Sequence, residues 1–306
     1  MRSYLRIHSP WSQLAVLIML LGAGFIFAGL TMQVILSSKG IVIKSLSDIN
    51  YNDVKIVNAE KLIQAISSIL LFLLTSIVFA FLTFRFKQFY FLGFKSSEKV
   101  NFYFLAVIVV LCSFPFAELL AKLNEHIPLS KSLTDTENDT AKMMKAFLKE
   151  NNSFDFIINI LLIALLPAIC EEVFFRGCLQ RILINIFKKP WTGIIVTAAL
   201  FSAFHFQFAG FLPRMFLGII LGALFWYGNS LLPSIVGHFF FNAAQIVAVK
   251  YYPEIANKNP SFPIYVALIS GCIVFGILYL LKKQSTVTYA KVYESGKLNE
   301  HNGFVV

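Results

Sequence analysis

Apolar runs of about 20 residues, the length a helix needs to cross a hydrocarbon core, recur along nearly the whole chain. Nothing else constrains its fold as strongly. The runs fall near 13–36, 62–84, 100–121, 156–178, 190–208, 211–228, 231–250 and 261–281. They predict an all-α fold, a polytopic membrane helix bundle with about eight transmembrane helices. The wider composition agrees: 58% of the 306 residues are hydrophobic and only 14% are charged, too apolar a mixture for an ordinary soluble domain. Residues 1–283 are read as one bundle without internal repeat, and 284–306 as a polar, mobile C-terminal tail.

The first run follows Arg2 and Arg6, as a secretory signal would, but it is too long for a cleavable segment and no A-x-A site follows. It is read as a retained anchor. The four cysteines, Cys112, Cys170, Cys178 and Cys272, all fall inside expected spans and form no C-x-x-C, so they are read as small buried hydrophobes. The net charge of +10 belongs to lysines and arginines at span ends, near anionic lipid headgroups. No recognition motif accompanies it, and nucleic acid is set aside as a partner.

Eight spans put both termini on one side. If that side is cytoplasmic, it carries short clusters next to the spans: Arg2 and Arg6; Arg85, Lys87, Lys95 and Lys99; Arg181, Lys188 and Lys189; Lys282 and Lys283. The opposite loops hold as many lysines, mixed with Asp48, Asp53, Asp135, Glu137 and Asp139, so the raw count alone does not decide. In the long loop 122–155, Met143, Met144, Phe147 and Leu148 recur at helical spacing. That segment either lies along the membrane surface or is a solvated loop with one helical turn. Gly218 and Gly222 form a G-x-x-x-G that lets a neighbouring helix approach. The 33 phenylalanines are read as lipid-facing and core filler.

Against this background the segment "CEEVFFRGC", 170–178, stands out. In a helix Glu172 and Arg176 are four apart and share a face, whereas Glu171 is rotated by about 100° and looks elsewhere. One carboxylate then has a partner within its own helix, and the other is left to take a proton from water. Pro167, a few residues earlier, bends the span. The next run ends in "FSAFH", with Phe201 and His205 on one face, and the seventh holds "HFFFN", with His238 and Asn242 on one face. Each group alone reads more simply as structure: a membrane histidine or asparagine as glue between helices, and Glu172 with Arg176 as an ion pair. The catalytic reading rests on Glu171, His205, His238 and Asn242 as a set. Glu118 is read as interfacial, near Lys122, while His8, His126 and His301 lie outside the spans and receive no role.

The three stretches "EEVFFR" (171–176), "FSAFH" (201–205) and "HFFFN" (238–242) resemble, in order and on separate helices, the signature of the CAAX protease and bacteriocin-processing (Abi) family of intramembrane proteases. The resemblance covers about 155–245, which is taken as the catalytic core. It implies peptide-bond hydrolysis in or at the bilayer, on a membrane-associated or lipidated protein or peptide. Glu171 matches the position that activates water, with His205 assisting. His238 and Asn242 match the pair that stabilises the oxyanion. Glu172 and Arg176 match supporting positions.

Two schemes stay open. Members of the family are often called metalloproteases, and Glu171, His205 and His238 could ligate zinc with one position left for water. The same side chains could also act without metal, as base and electrophilic donors. The helical rise puts His238 about 12 Å and His205 about 22 Å from the presumed inner ends of their spans, so tilt or the Pro167 bend must bring them level. Two further functions compete: a transporter or channel that uses the intramembrane Glu and His groups, and a non-catalytic scaffold or immunity factor. The chain is placed in a bacterial cell membrane with both termini cytoplasmic and membrane lipid around it. Its substrate is not readable from the sequence.

Overall fold

The computed structural model describes residues 9–42, 49–83, 88–97, 99–149, 153–256 and 261–294. Arg2, Arg6, His8, Asp48, Arg85, Lys87 and His301 lie outside the described residues. Those described form helices and connecting turns, with no strand among them. In chain order the helices are α1 (Pro10–Ser38), α2 (Val54–Thr83), α3 (Asn101–Cys112), α4 (Phe114–Asn124), α5 (Lys131–Leu148), α6 (Phe154–Phe187), α7 (Pro190–Ala203), α8 (Phe208–Gly228), α9 (Leu231–Tyr251) and α10 (Ile264–Gln284). Short polar residues start several of them: Asp53 accepts from the Lys55 N–H at 2.8 Å, Ser130 caps α5 and Ser230 caps α9.

Among the described residues six helices are long and apolar enough to cross a membrane, and seven if α3 and α4, bent by 44° at Ser113, count as one span. The chain is an integral membrane protein. The expected total of eight is thus reduced, because the segment expected at 190–208 is a helix of only 14 residues, about 21 Å long. It stops at Ala203, and the backbone turns at Phe206, whose φ of 53° no helix continues. The chain therefore leaves α7 well before the run of apolar side chains ends.

Contacts tie the helix ends into two groups. At one end Gly93 accepts from the Leu231 N–H and Ser97 donates to the Gly228 carbonyl. Asn101 reaches Gln284 there, and the Tyr293 hydroxyl donates to the Arg181 carbonyl. Gly93 has φ 105°, and a Cβ on it would lie 3.0 Å from both Leu231 and Phe225, so glycine is the residue that lets this turn sit on α8 and α9. At the other end Lys61 donates to Asn159, and Lys122 to Ser261, while Asn124 and Glu137 bind the turn between α7 and α8.

α6 lies in the middle, and nearly every residue from Glu172 to Ile184 is buried. Hydrocarbon tails are as apolar as leucine, so burial itself does not drive such helices together; close packing and hydrogen bonds do. The chain shows both. Gly193 brings α7 against the α6 backbone, where a Cβ would meet the Ile184 nitrogen at 2.8 Å, and Gly218 brings α8 within 2.9 Å of Ala198 by the same measure. Phenylalanines divide as read: Phe79, Phe102, Phe175 and Phe225 are buried, whereas Phe27, Phe104 and Phe275 face outward.

The loop 122–155 contains the 18-residue helix α5, far more than a single turn, with Phe147 buried beside Lys61. The chain after Gln284 does not leave the bundle at once. Val287, Tyr289, Val292 and Tyr293 pack on the core, and burial raises the Tyr293 phenol above its ordinary value despite the Arg181 charge beside it.

Candidate active site

α6 is an uneven helix, and the unevenness follows from its sequence. Pro167 has no N–H to give, and the turn just before it, Ile160–Leu165, is widened to i→i+5 bonding. A second widened stretch, Val173–Gln180, contains Arg176. Glu172, Arg176 and Gln180 recur every four residues and make a polar stripe along the inside of this helix.

That stripe meets the glycines of α8. Arg176 Nη2 donates to the Gly218 carbonyl at 3.2 Å, and Gln180 Nε2 to the Gly222 carbonyl at 3.0 Å. A Cβ on Gly222 would come within 2.7 Å of the Gln180 side chain. The G-x-x-x-G therefore does more than permit close approach, because it also exposes two backbone acceptors to α6. Gln180 was missed from the sequence, although its four-residue stride from Arg176 matches the stride of the glycines.

Arg176 and Glu172 are both fully buried and joined by a 2.5 Å ion pair, Nη1 to Oε1. Burying two charges costs several kcal/mol each, and only close pairing with further hydrogen bonds offsets it. The Gly218 carbonyl supplies one such bond, and the guanidinium also lies 4.7 Å from the centre of the Phe201 ring. As the helical spacing predicted, Glu172 has its partner within α6. It also has a second partner that the spacing did not disclose: His238 Nδ1 donates to Glu172 Oε1 at 2.9 Å. An ionised carboxylate only accepts, so Nδ1 carries the proton, and the other nitrogen of His238 is turned toward Glu171. His238 Nε2 and Glu171 Oε2 are 4.0 Å apart, beyond direct hydrogen-bond length.

Glu171 differs from its neighbour in surroundings. Its side chain keeps 13% exposure where Glu172 has none; Oε2 has no hydrogen-bond partner among the described residues, a lack that Glu172 Oε2 shares. Arg176 is bound to Glu172, so Glu171 keeps no contact ion pair with it. The Phe201 ring makes T-shaped contacts with both histidines, 5.9 Å from His238 and 5.0 Å from His205. α7 and α9 therefore approach one another at Phe201 and His238.

His205 Nδ1 bonds the Phe201 carbonyl at 2.9 Å, and both Glu171 and His238 are within electrostatic range of the ring. It sits in the turn between α7 and α8, which is held from several sides. Asn124, buried to 1% exposure, donates to the Phe208 carbonyl at 2.8 Å and accepts from the Leu212 N–H at 2.9 Å. Ser202 donates to the Phe211 carbonyl, and Glu137 accepts from the Ala209 N–H.

Asn242 lies four residues after His238 on α9, half-buried, and makes no hydrogen bond among the described residues. Glu118 forms an ion pair with Lys122 at 2.9 Å, the neighbour the sequence reading gave it. His126 is exposed and bonds the Lys122 carbonyl.

The zinc alternative does not fit this arrangement. Among the described residues no three His, Cys, Asp or Glu side chains are grouped to hold a metal ion, and Glu171, His205 and His238 are no exception.

The fold and site together define a class: an integral membrane protein whose bundle encloses a carboxylate, histidine and arginine cluster drawn from α6, α7 and α9. Comparison by sequence narrows this. Residues 153–244 match the family described as type II CAAX prenyl endopeptidase, Rce1-like, and this part of the chain belongs to that family. Membership implies an intramembrane protease with a protein substrate. No curated protein and no solved structure matches the chain.

Proposed function

We propose that the protein is an intramembrane endopeptidase that hydrolyses a peptide bond of a membrane-associated or lipidated protein, with Glu171 as general base. The observation that carries this reading is the Arg176, Glu172, His238, Glu171 series, in which Arg176 and His238 both bond Glu172 Oε1 and His238 Nε2 stands 4.0 Å from Glu171. A water bound to Glu171 Oε2 gives up a proton to it as the oxygen attacks the substrate carbonyl, with His205 assisting. The tetrahedral oxyanion is stabilised by His238 and Asn242, donors set in a site poor in water. In that role His238 is held through Nδ1 by Glu172, with Nε2 on the side of Glu171. Glu171 returns its proton to the leaving amine, the C–N bond breaks, and water has been divided between the two products. Glu172 and Arg176 act through His238 and are positioning residues.

The catalytic core occupies about 155–245, and the helices around it complete a bundle through residue 283. We place both termini on the cytoplasmic side of a bacterial cell membrane. The grouping of Lys95, Arg181, Lys188 and Lys189 near the end where Tyr293 meets α6 supports this through the positive-inside tendency.

The test is comparative membrane proteomics and turnover of purified variants. Glu171→Ala, His205→Ala and His238→Ala are each expected to remove cleavage while the protein still inserts and remains monodisperse. Wild-type turnover by all three variants would overturn the proposal.

A further inference from the structure

The candidate active site is closed by protein on one side only. Every residue of α6 from Glu172 to Ile184 is buried, and Arg176 and Gln180 bond carbonyls of α8, which seals the direction of the Tyr293 end. Exposure returns at Glu171 and at the half-buried His205 and Asn242, and Phe206 is exposed. His205 follows the last turn of α7, and Asn242 lies beyond His238 along α9, so both stand toward the opposite end of the bundle. That end is crossed by α5. Glu137 of α5 accepts from the Ala209 N–H, four residues past His205, at 2.6 Å. Ten residues further along α5, about 15 Å at the helical rise, Phe147 is buried with the Lys61 ammonium 5.8 Å from its ring centre. Lys61 in turn donates to Asn159 of α6, and α5 also touches α9. The helix thus links the three elements that supply Glu171, His205 and Asn242. Its hold on them is light. Phe147 is the one fully buried residue of its 18. The hydroxyls of Thr134, Thr136 and Thr140 and the ammonium of Lys142 bond within the helix and its cap, not to the bundle. Its first half borders a cleft of about 480 Å³ whose far wall includes Tyr51, instead of a packed neighbour. Segments with so few buried apolar contacts open locally at a small fraction of the global unfolding free energy.

We infer that α5 is a strap across the entrance to the active site, latched to the turn after His205 by Glu137 and anchored at Phe147, and that it swings aside to admit the polypeptide to be cut. This rests on the endopeptidase reading above. Closed, the strap keeps intact membrane proteins from Glu171; open, it exposes the side on which Glu171, His205 and Asn242 retain access. Phe147, buried at the far end from the latch, is the pivot about which the Glu137 end moves.

The experiment uses the full chain in lipid nanodiscs. Hydrogen exchange should show the amides of α5 exchanging about tenfold or more faster than those of α9, and faster again in Glu137→Ala. In a chain carrying Glu137→Cys and Ala209→Cys, a short bis-methanethiosulfonate clamps α5 to the turn, and a reductant releases it. Wild type treated with the same reagent controls for the four native cysteines. Cleavage is followed on the membrane protein whose new terminus the comparative proteomics identifies, and on a short peptide spanning the same cut. The clamp should slow the protein about tenfold or more relative to the peptide, with recovery on reduction. A protein-to-peptide ratio that the clamp leaves unmoved would overturn the inference, and is the outcome of sideways entry from lipid. Equal slowing of both would overturn it as well, since it marks distortion of the turn after His205 and not a closed entrance. So would α5 amides as well protected as those of α9, a measurement on wild type that stands even if the double variant does not fold. A proteomic comparison that yields no cleaved protein counts against the endopeptidase reading itself, and the exchange rates still decide whether α5 opens.

Discussion

Replacing Arg176 with methionine tests the buried polar series most directly. The substitution keeps much of the side chain's length but removes the 2.5 Å contact to Glu172, the bond to the Gly218 carbonyl and the cation over Phe201. Glu172, with no exposure, is then left with only His238 as partner. Removing one member of a buried ion pair costs about 3–5 kcal/mol, because the remaining charge is neither solvated nor compensated. Adding Glu172→Gln to the same chain removes the stranded charge and should restore most of that loss, since two neutral groups of similar shape can replace a buried pair at little cost. The two residues should therefore couple by about 2–3 kcal/mol in a double-mutant cycle. Reversible unfolding in mixed detergent micelles measures all four corners. Cleavage would behave differently from stability: the double variant, though refolded, should remain about tenfold or more slower, because Glu172 no longer offers His238 a charged acceptor. A loss below about 1 kcal/mol for Arg176→Met, or no recovery in the double variant, would refute the reasoning.

Two further outcomes follow from other parts of the bundle. Asn124→Ala removes both bonds that clamp the turn after His205 and should cost about 2–4 kcal/mol, with turnover falling as that turn loosens; thermal unfolding and kcat, measured together, check it. Tyr293→Phe removes the bond to the Arg181 carbonyl and should cost about 1 kcal/mol. The wild-type phenol is raised by burial, so its contribution is complete below pH of about 10, the unfolded value, and declines as pH rises toward the folded one. Between pH 9 and about 12 wild type should lose stability more steeply than Tyr293→Phe, and equal slopes would contradict the packing seen for the tail.

Much of the site was legible because its residues are costly where they stand. Glu171, Glu172, Arg176, His205 and His238 interrupt apolar runs, and helical spacing alone pairs Glu172 with Arg176. Spacing within one helix cannot disclose partners on another. The bond from His238 to Glu172, the Gly218 and Gly222 carbonyls as acceptors, and the Asn124 clamp all join residues more than 40 positions apart. The short α7 was lengthened in the sequence reading for a related reason. Its apolar run continues through Phe204, Phe206 and Phe208, and hydropathy does not register the turn that ends the helix.

By itself, then, the sequence determined that this chain is a helical membrane bundle and named the polar residues of its interior, since run length and the cost of charge in hydrocarbon are local quantities. Helical spacing already set Glu172 apart from Glu171, but only the tertiary structure gave Glu172 its second partner, His238 on another helix. Glu172 is secured from both α6 and α9 while Glu171 faces His238 across 4.0 Å, a difference set by how separate helices tilt and pack and written in neither one alone.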